Sequence, residues 1–509
     1  MKKKNIQIYT IMLIAILNRV FLFGSYPGGV NVDEAYAGYE SWSLVNYGMD
    51  SWGYKNPVYF IACGGGMNTL NSYLMMPLVA LFGLNKYTIR IPQMIFGILT
   101  VYILYLLIKK IDTKETAWIA SALLAISPWH IIISRYGLES NLAIIFVLLG
   151  IYFFILGIEK NTYLIVSAFF WGLSLYCYAV CWFFVPLFLM LCIVYCLCTK
   201  KLRISPSAII AGFILFIMAA PLLLFVMVNM GYISEIRTSW ISIPKLVVFR
   251  NDEISLEKMS EYLKNLCRLF IKQNDYHIWN VSKWFGVYYL YSTPLVVLGG
   301  FLVGRDSIQA IRKKQFSYNI FICIWLITGI VIALLQGVGI TRNNTLLIAN
   351  FILLATGIKF LIDKYGKTCA KAVGVIYLIS FLIFEGYYFT IYQDIISENQ
   401  ISGADKALEY ALDKKDELDV EHIFITSRLR PAQVLFYTKT PTDKYISSVT
   451  WENYPSKYLQ AASFDCFTWR ENDRLTSEIL IVLASEAEEY EQKNYDVTYF
   501  ENCAVVISD

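Results

Sequence analysis

Apolar runs long enough to cross a bilayer recur along this chain from residue 6 to residue 391, and no other feature restricts its fold so severely. About 20 mostly apolar residues cross a hydrocarbon core as a helix, because in lipid every backbone N–H and C=O must be paired within the segment. The runs lie at residues 6–24, 89–108, 115–128, 140–158, 162–178, 182–198, 207–228, 286–304, 317–337, 343–362 and 372–391. They predict an all-α polytopic membrane protein with about eleven transmembrane helices. Composition agrees: 57% of residues are hydrophobic and 16% charged, against roughly 45–50% and about 25% in soluble domains.

The formal net charge of +4 hides an asymmetry. From residue 393 onward there are 22 Asp and Glu against 11 Lys and Arg; before it, 17 against 32. Short cytoplasmic loops collect Lys and Arg. MKKK, KKIDTKE, EK, TKKLR, GRDSIQAIRKK and DKYGK all fall on one side of an eleven-span alternation. Topology therefore explains the basic excess, and no nucleic-acid partner is needed. The first run is long and no small-residue cleavage site follows it, so it reads as an uncleaved span with its N-terminus in the cytoplasm.

An odd number of spans puts two long loops, 25–88 and 229–285, and the C-terminal part outside the cell. The expected division is a membrane domain over 1–392 and a small soluble extracytoplasmic α/β domain over 393–509, with a helix in GADKALEYALDKK and strands in HIFITS and ILIVLA. Both loops are expected to carry interfacial helices. In the first, NSYLMMPLVALFGLN has a suitable apolar face; in the second, Leu256, Met259, Leu263 and Leu266 recur at helical spacing. Six cysteines sit inside apolar runs as small hydrophobes. Cys466 and Cys503 could pair in an oxidising compartment.

The chemistry-bearing residues cluster at the outer ends of the runs. GGVNVDEAYAGYESW (28–42) places Asp33 beside Glu34 directly after the first span. A solvated acidic pair on a wet loop is ordinary. Arg135 and Glu139, in SPWHIIISRYGLES, end another run; four apart, they would share a helical face, as a structural ion pair or as part of a site. Tyr36, Tyr39, Trp42, Trp279 and Trp284 could stack on sugar faces or belong to an interfacial aromatic belt. His130 reads as a helix-end hydrogen bonder.

DEAYAGYESWSLVNYGMDSWG, NSYLMMPLVALFGLNKYTIRIP and SPWHIIISRYGLES, in that order, resemble bacterial GT-C glycosyltransferases of the protein-mannosyltransferase and aminoarabinose-transferase type. The resemblance covers roughly residues 6 to 230 and continues more loosely through QNDYHIWNVSKWFGVYYLYSTP and TRNNTLLIANFILLATGI. It implies a GT-C fold and transfer of a sugar from a polyprenyl-phosphate carrier, undecaprenyl phosphate in a bacterium, to an acceptor at the outer membrane face, with inversion. The acceptor could be a protein, a lipid or a wall polymer. Asp33 matches the catalytic base and Glu139 the second acid, with Glu34 as a substitute base or as the group that orients Asp33.

Many relatives carry Lys-Pro-Pro where this chain has Met67-Asn68-Thr69, so the carrier phosphate needs another cation. Arg342 is the first choice, ahead of Arg135, Arg237, Arg250 and Lys55, since arginine can hold phosphate oxygens bidentately. Arg90 is read as marking the start of the second span. Tyr36, Asp275 and His277 are further substrate contacts. Some relatives bind a divalent ion on this side, which leaves a divalent metal open as a cofactor and His277 as a contact to substrate or to that ion, but no His or acid spacing here fixes one, so no metal ligand and no certain cofactor is assigned. The competing reading is a transporter or lipid flippase of surface-glycan precursors. Such proteins tend to show internal repeats and midplane charges, and neither stands out here.

Overall fold

The helices begin where the sequence supplies caps: Asn85, Thr113 and Ser205 accept backbone N–H groups in the first turns of three of them, and Pro206 takes the first helical position of the third. The computed structural model describes residues 6–249, 257–474 and 476–508. In chain order the elements up to the second long loop are α1 (Ile6–Val20), α2 (Val32–Tyr47), β1 (Tyr59–Phe60), β2 (Met67–Asn68), α3 (Leu70–Phe82), α4 (Lys86–Ile111), α5 (Lys114–Ala125), α6 (Pro128–Ile133), α7 (Glu139–Glu159), α8 (Tyr163–Leu175), α9 (Cys181–Cys198) and α10 (Pro206–Asn229). There follow β3 (Ile236–Arg237), β4 (Ser242–Ile243), α11 (Met259–Lys272), α12 (Thr293–Arg312), α13 (Asn319–Gln336), α14 (Ile340–Tyr388) and α15 (Ile391–Asn399). The C-terminal part contains α16 (Ala404–Leu418), β5 (Ile423–Ile425), α17 (Pro431–Thr438), α18 (Thr442–Ser448), β6 (Thr450–Trp451), β7 (Ala461–Phe464), β8 (Phe467–Thr468), α19 (Glu471–Arg474), β9 (Ile479–Leu483), α20 (Ala484–Glu491), β10 (Asp496–Phe500) and β11 (Cys503–Ile507).

Among the described residues seven helices are long and apolar enough to cross a membrane: α4, α7, α9, α10, α12 with the turn before it, α13 and α14. The expectation was eleven spans. Two causes account for most of the difference. The run 115–128 stops as α5 at 12 residues, because Ser127 and Pro128 open a separate helix, and α8 reaches only 13. At ~1.5 Å per residue, 13 residues give about 20 Å, short of a ~30 Å core. The last two runs fall in one 49-residue element, α14, broken at Gly366 with φ 75° and ψ −157°, a backbone conformation essentially confined to glycine. Outward-facing Phe213, Phe216 and Leu223 on α10 leave an apolar surface of the kind lipid covers.

The second loop forms its amphipathic helix as α11, with Leu266 and Leu269 buried and Met259 and Leu263 exposed; Leu256 lies outside the described residues. The C-terminal part builds a seven-stranded sheet in the order β10-β11-β9-β5-β8-β7-β6, with β5 parallel to both neighbours. Alternate residues of β5 and β9 face two separate cores. Ile423, Ile425, Ile479 and Ile481 pack under α16, and Phe424, Leu480 and Val482 under α20. Cys466 and Cys503 are free thiols. Strands β9 and β5 stand between their positions, and at about 4.8 Å per strand the gap exceeds any disulfide. The pairing considered from sequence is thereby excluded.

This C-terminal unit packs on the first long loop, chiefly through α17 against α2. Tyr39 donates its hydroxyl to the Thr440 carbonyl at 2.7 Å, Ser43 meets Thr442 at 2.7 Å, and Gln433 donates to the Val30 carbonyl at 2.7 Å.

Candidate active site

Helix α2 starts with a reciprocal cap. The Asn31 side chain accepts the Asp33 N–H at 2.9 Å, and Glu34 accepts the Asn31 N–H at 3.1 Å. Asp33 is exposed at this end, while Glu34 is completely buried. Glu34 forms an ion pair with buried Arg90 of α4 and also accepts the Gly137 N–H at 2.7 Å. Arg90 spends its remaining donors on the Pro27 and Gly29 carbonyls, both at 2.8 Å. One buried pair thus ties together the first loop, α4 and the turn before α7, so that the N-termini of α2 and α7 meet. Glu34 is consequently a framework residue and not a substitute base. Arg90, read from sequence as marking the start of a span, is its partner.

Glu139 is the first residue of α7 and accepts the Asn68 N–H of β2. Both line a cavity of about 340 Å³, together with Arg342 from the first turn of α14 and Gln336 from the end of α13. The rest of the wall is apolar and aromatic: Tyr59, Trp182, Phe183, Phe225 and Met230. Two features stand out at the polar end. The Asn68 amide is buried with neither its oxygen nor its nitrogen hydrogen-bonded, and the Gln336 Oε1 is buried and unpaired. Buried polar groups are nearly always satisfied, so such exceptions need a cause.

The remaining sequence candidates sit elsewhere. Arg135 and Glu139 do not share a helical face, because the helix breaks between α6 and α7. Arg135 is fully buried and donates to the Asn18, Phe21, Leu22 and Tyr26 carbonyls at 2.8 to 3.1 Å, closing the end of α1. Lys55 is exposed and lines no described cavity. Arg237 pairs with Glu235 at 3.0 Å, and Arg250 lies outside the described residues. Asp275 accepts the Ile340 N–H and the Asn280 amide, both at 2.8 Å, and so holds the start of the helix that carries Arg342. His277 is exposed and stacked on Trp279 at 5.0 Å. Among the described residues no three His, Cys, Asp or Glu side chains gather as metal ligands would. Tyr39 and Trp42 pack against each other at 5.6 Å beneath the C-terminal unit. His130 is a hydrogen bonder as expected, its Nδ1 2.6 Å from Arg19 Nη2.

Behind α2 lies a second pair of acids. Glu40 accepts the Ser51 N–H at 2.9 Å and the Ser51 hydroxyl; Asp50 accepts the Trp52 and Tyr54 N–H groups. Burial pushes Glu40 up to about 6 against this hydrogen bonding, and lifts Asp50 well above the usual range, with the Glu40 charge adding to it. For an acid raised on folding, the native state still holds its proton after the unfolded chain has lost it. Stability from Glu40 is therefore present below its ordinary value of 4.5 and lost as pH rises through about 6. Glu40→Gln should gain on the order of 2 kcal/mol relative to wild type between pH 4.5 and pH 7. Thermal unfolding of both proteins in detergent across that window checks this; a Tm difference independent of pH would reject it.

The chain has a GT-C fold. A family model described as dolichyl-phosphate-mannose-protein mannosyltransferase matches residues 69–225. Among solved structures, ArnT from Cupriavidus metallidurans bound to undecaprenyl phosphate aligns with a TM-score of 0.55 at 12% identity, over 98% of this chain and 97% of that one. Its apo state gives 0.54 at 11% identity over the same shares. The oligosaccharyltransferase of Archaeoglobus fulgidus tethered to an acceptor peptide gives 0.48 at 13%, over 94% of this chain and 69% of that one. No curated protein matches the chain.

Proposed function

We propose that this protein is an inverting membrane glycosyltransferase that moves a sugar from undecaprenyl phosphate, or a closely similar polyprenyl phosphate, to a hydroxyl-bearing acceptor. The observation that carries the reading is the cavity in which a carboxylate, an arginine and an unsatisfied buried amide face an apolar, aromatic wall. A lipid-linked sugar phosphate has those two halves. ArnT, which shares the fold, was crystallised with undecaprenyl phosphate. The N-terminus is assigned to the cytoplasm and the C-terminal unit to the outside, on the distribution of Lys and Arg.

In the proposed reaction Asp33 takes the proton from the acceptor hydroxyl as its oxygen attacks the anomeric carbon. The bond from that carbon to the carrier phosphate oxygen breaks, its electron pair stays on the phosphate, and the sugar configuration inverts. Glu139, held at the start of α7, orients the donor. Arg342 and the Asn68 amide stabilise the charge gathering on the leaving phosphate, so Asn68 takes over part of the work of the lysine found in relatives. Arg342→Gln should weaken undecaprenyl phosphate binding ~10- to 100-fold, since a hydrogen bond to a charged group contributes about 1.5 to 3 kcal/mol, and Asn68→Ala about fivefold. Binding of undecaprenyl phosphate to purified variants measures this. Wild-type affinity in both would remove the cavity from the donor path. The reading as a whole is tested by carrier release from radiolabelled undecaprenyl-phosphate sugars in the presence of membrane extract. Failure with every sugar would reject the donor class.

A further inference from the structure

A second cavity, about 250 Å³, lies on the other side of the strip that walls the first. Residues 59–68 contribute to both linings in blocks. Tyr59, Gly65, Gly66 and Asn68 face the first cavity, and Ile61 and Cys63 the second. The strip is clamped from outside by the C-terminal unit. Leu459 donates its N–H to the Cys63 carbonyl at 2.8 Å, and a Cβ on Gly64 (φ +78°) would come within 2.2 Å of the Ser456 carbonyl oxygen. Val32 and Tyr36, one turn apart on α2, close the near side, with Asp33 next to Val32. Asp33 itself lines neither cavity; a group entering here lies beside the start of α2, which carries the proposed base.

The far wall is a pair of indoles drawn from sequence positions 400 residues apart. Trp52 and Trp451 stack at 5.3 Å with 8° between their planes, and each is only half-buried. Arg430 and Gln460 stand exposed at the rim, and the lining contains no carboxylate. Flat aromatic surface with a few planar polar groups at its edge suits a pyranose, whose C–H face packs on indole while its hydroxyls point to the rim. We propose that this cavity receives a sugar ring of the acceptor, so that the acceptor is a glycan or glycolipid and the C-terminal unit forms one wall of its site. The proposal rests on the donor reading above for its orientation, but its binding test does not.

The test uses the full chain in lipid nanodiscs and saturation-transfer NMR, with methyl α-mannoside, methyl α-glucoside, methyl β-N-acetylglucosaminide and the peptide acetyl-Ala-Thr-Ala-amide as probes. Saturation should reach the ring C–H protons of at least one glycoside. It should fall at least fivefold in Trp52→Ala and Trp451→Ala, and persist in Trp451→Phe and Arg342→Gln. Saturation of the peptide alone, of no probe, or undiminished in both Trp→Ala variants would overturn the proposal. Undecaprenyl phosphate binding is measured in parallel and should be unchanged in Trp451→Ala, showing that this variant is folded. Its absence from wild type would sink the donor reading while the glycoside signal still decides the acceptor.

Discussion

Replacing Asp33 by Asn is expected to slow sugar transfer by ~10² to 10⁴, the range a positioned general base contributes, while leaving the fold and carrier binding in place. The helix cap itself survives the substitution: its bond into the helix is made by the Asp33 N–H, and Glu34 supplies the return half. A carboxamide keeps the size and cannot take a proton. The loss should therefore fall on kcat with the donor KM unchanged, the signature of an interaction made only in the transition state. Glu139→Gln should differ. Its carboxylate accepts the Asn68 N–H and lies on the donor cavity, so kcat and donor KM should both worsen. Equal rates of carrier release from wild type and Asp33→Asn would show that the proton leaves by another route.

The membrane character, the amphipathic helix in the second loop and the strands of β5 and β9 could be read directly, because each is a local pattern of burial. Of the candidate site, only positions set locally were readable. Asp33, Glu139 and Arg342 stand at helix starts, which sequence marks. What escaped was set by distant partners. Glu34 read as a substitute base or as the group that orients Asp33 because nothing near it in sequence reveals Arg90, although Asn31 and Glu34 three residues apart already carry the spacing of a cap. The four-residue interval from Arg135 to Glu139 was misleading, since α6 ends at Ile133, α7 begins only at Glu139, and Arg135 turns back to cap α1. The stretch Met67-Asn68-Thr69 was visible as a departure from the Lys-Pro-Pro of relatives, yet Asn68 became a candidate only once its amide was seen to be buried without a hydrogen bond. Trp451 carried no signal at all, because its meaning depends on stacking with Trp52.

Breaking the Glu34–Arg90 pair is expected to produce the largest loss of stability. Both side chains are fully buried, and truncating one leaves the other charge unpaired in a low-dielectric interior, a loss of about 3 to 5 kcal/mol. Glu34→Gln and Arg90→Leu should each lower Tm sharply in detergent. The double variant should cost clearly less than the sum, because it leaves no orphaned charge; that coupling is what a double-mutant cycle isolates. Strict additivity would mean that the pair does not hold the loop. The same variants should also lose transfer, but by a different route from Asp33→Asn. Without the carboxylate, the Gly137 N–H loses its partner and the N-termini of α2 and α7 are no longer joined, so Asp33 and Glu139 lose their common alignment. Lower Tm together with lower kcat identifies the framework residue, whereas lower kcat at unchanged Tm identifies the base.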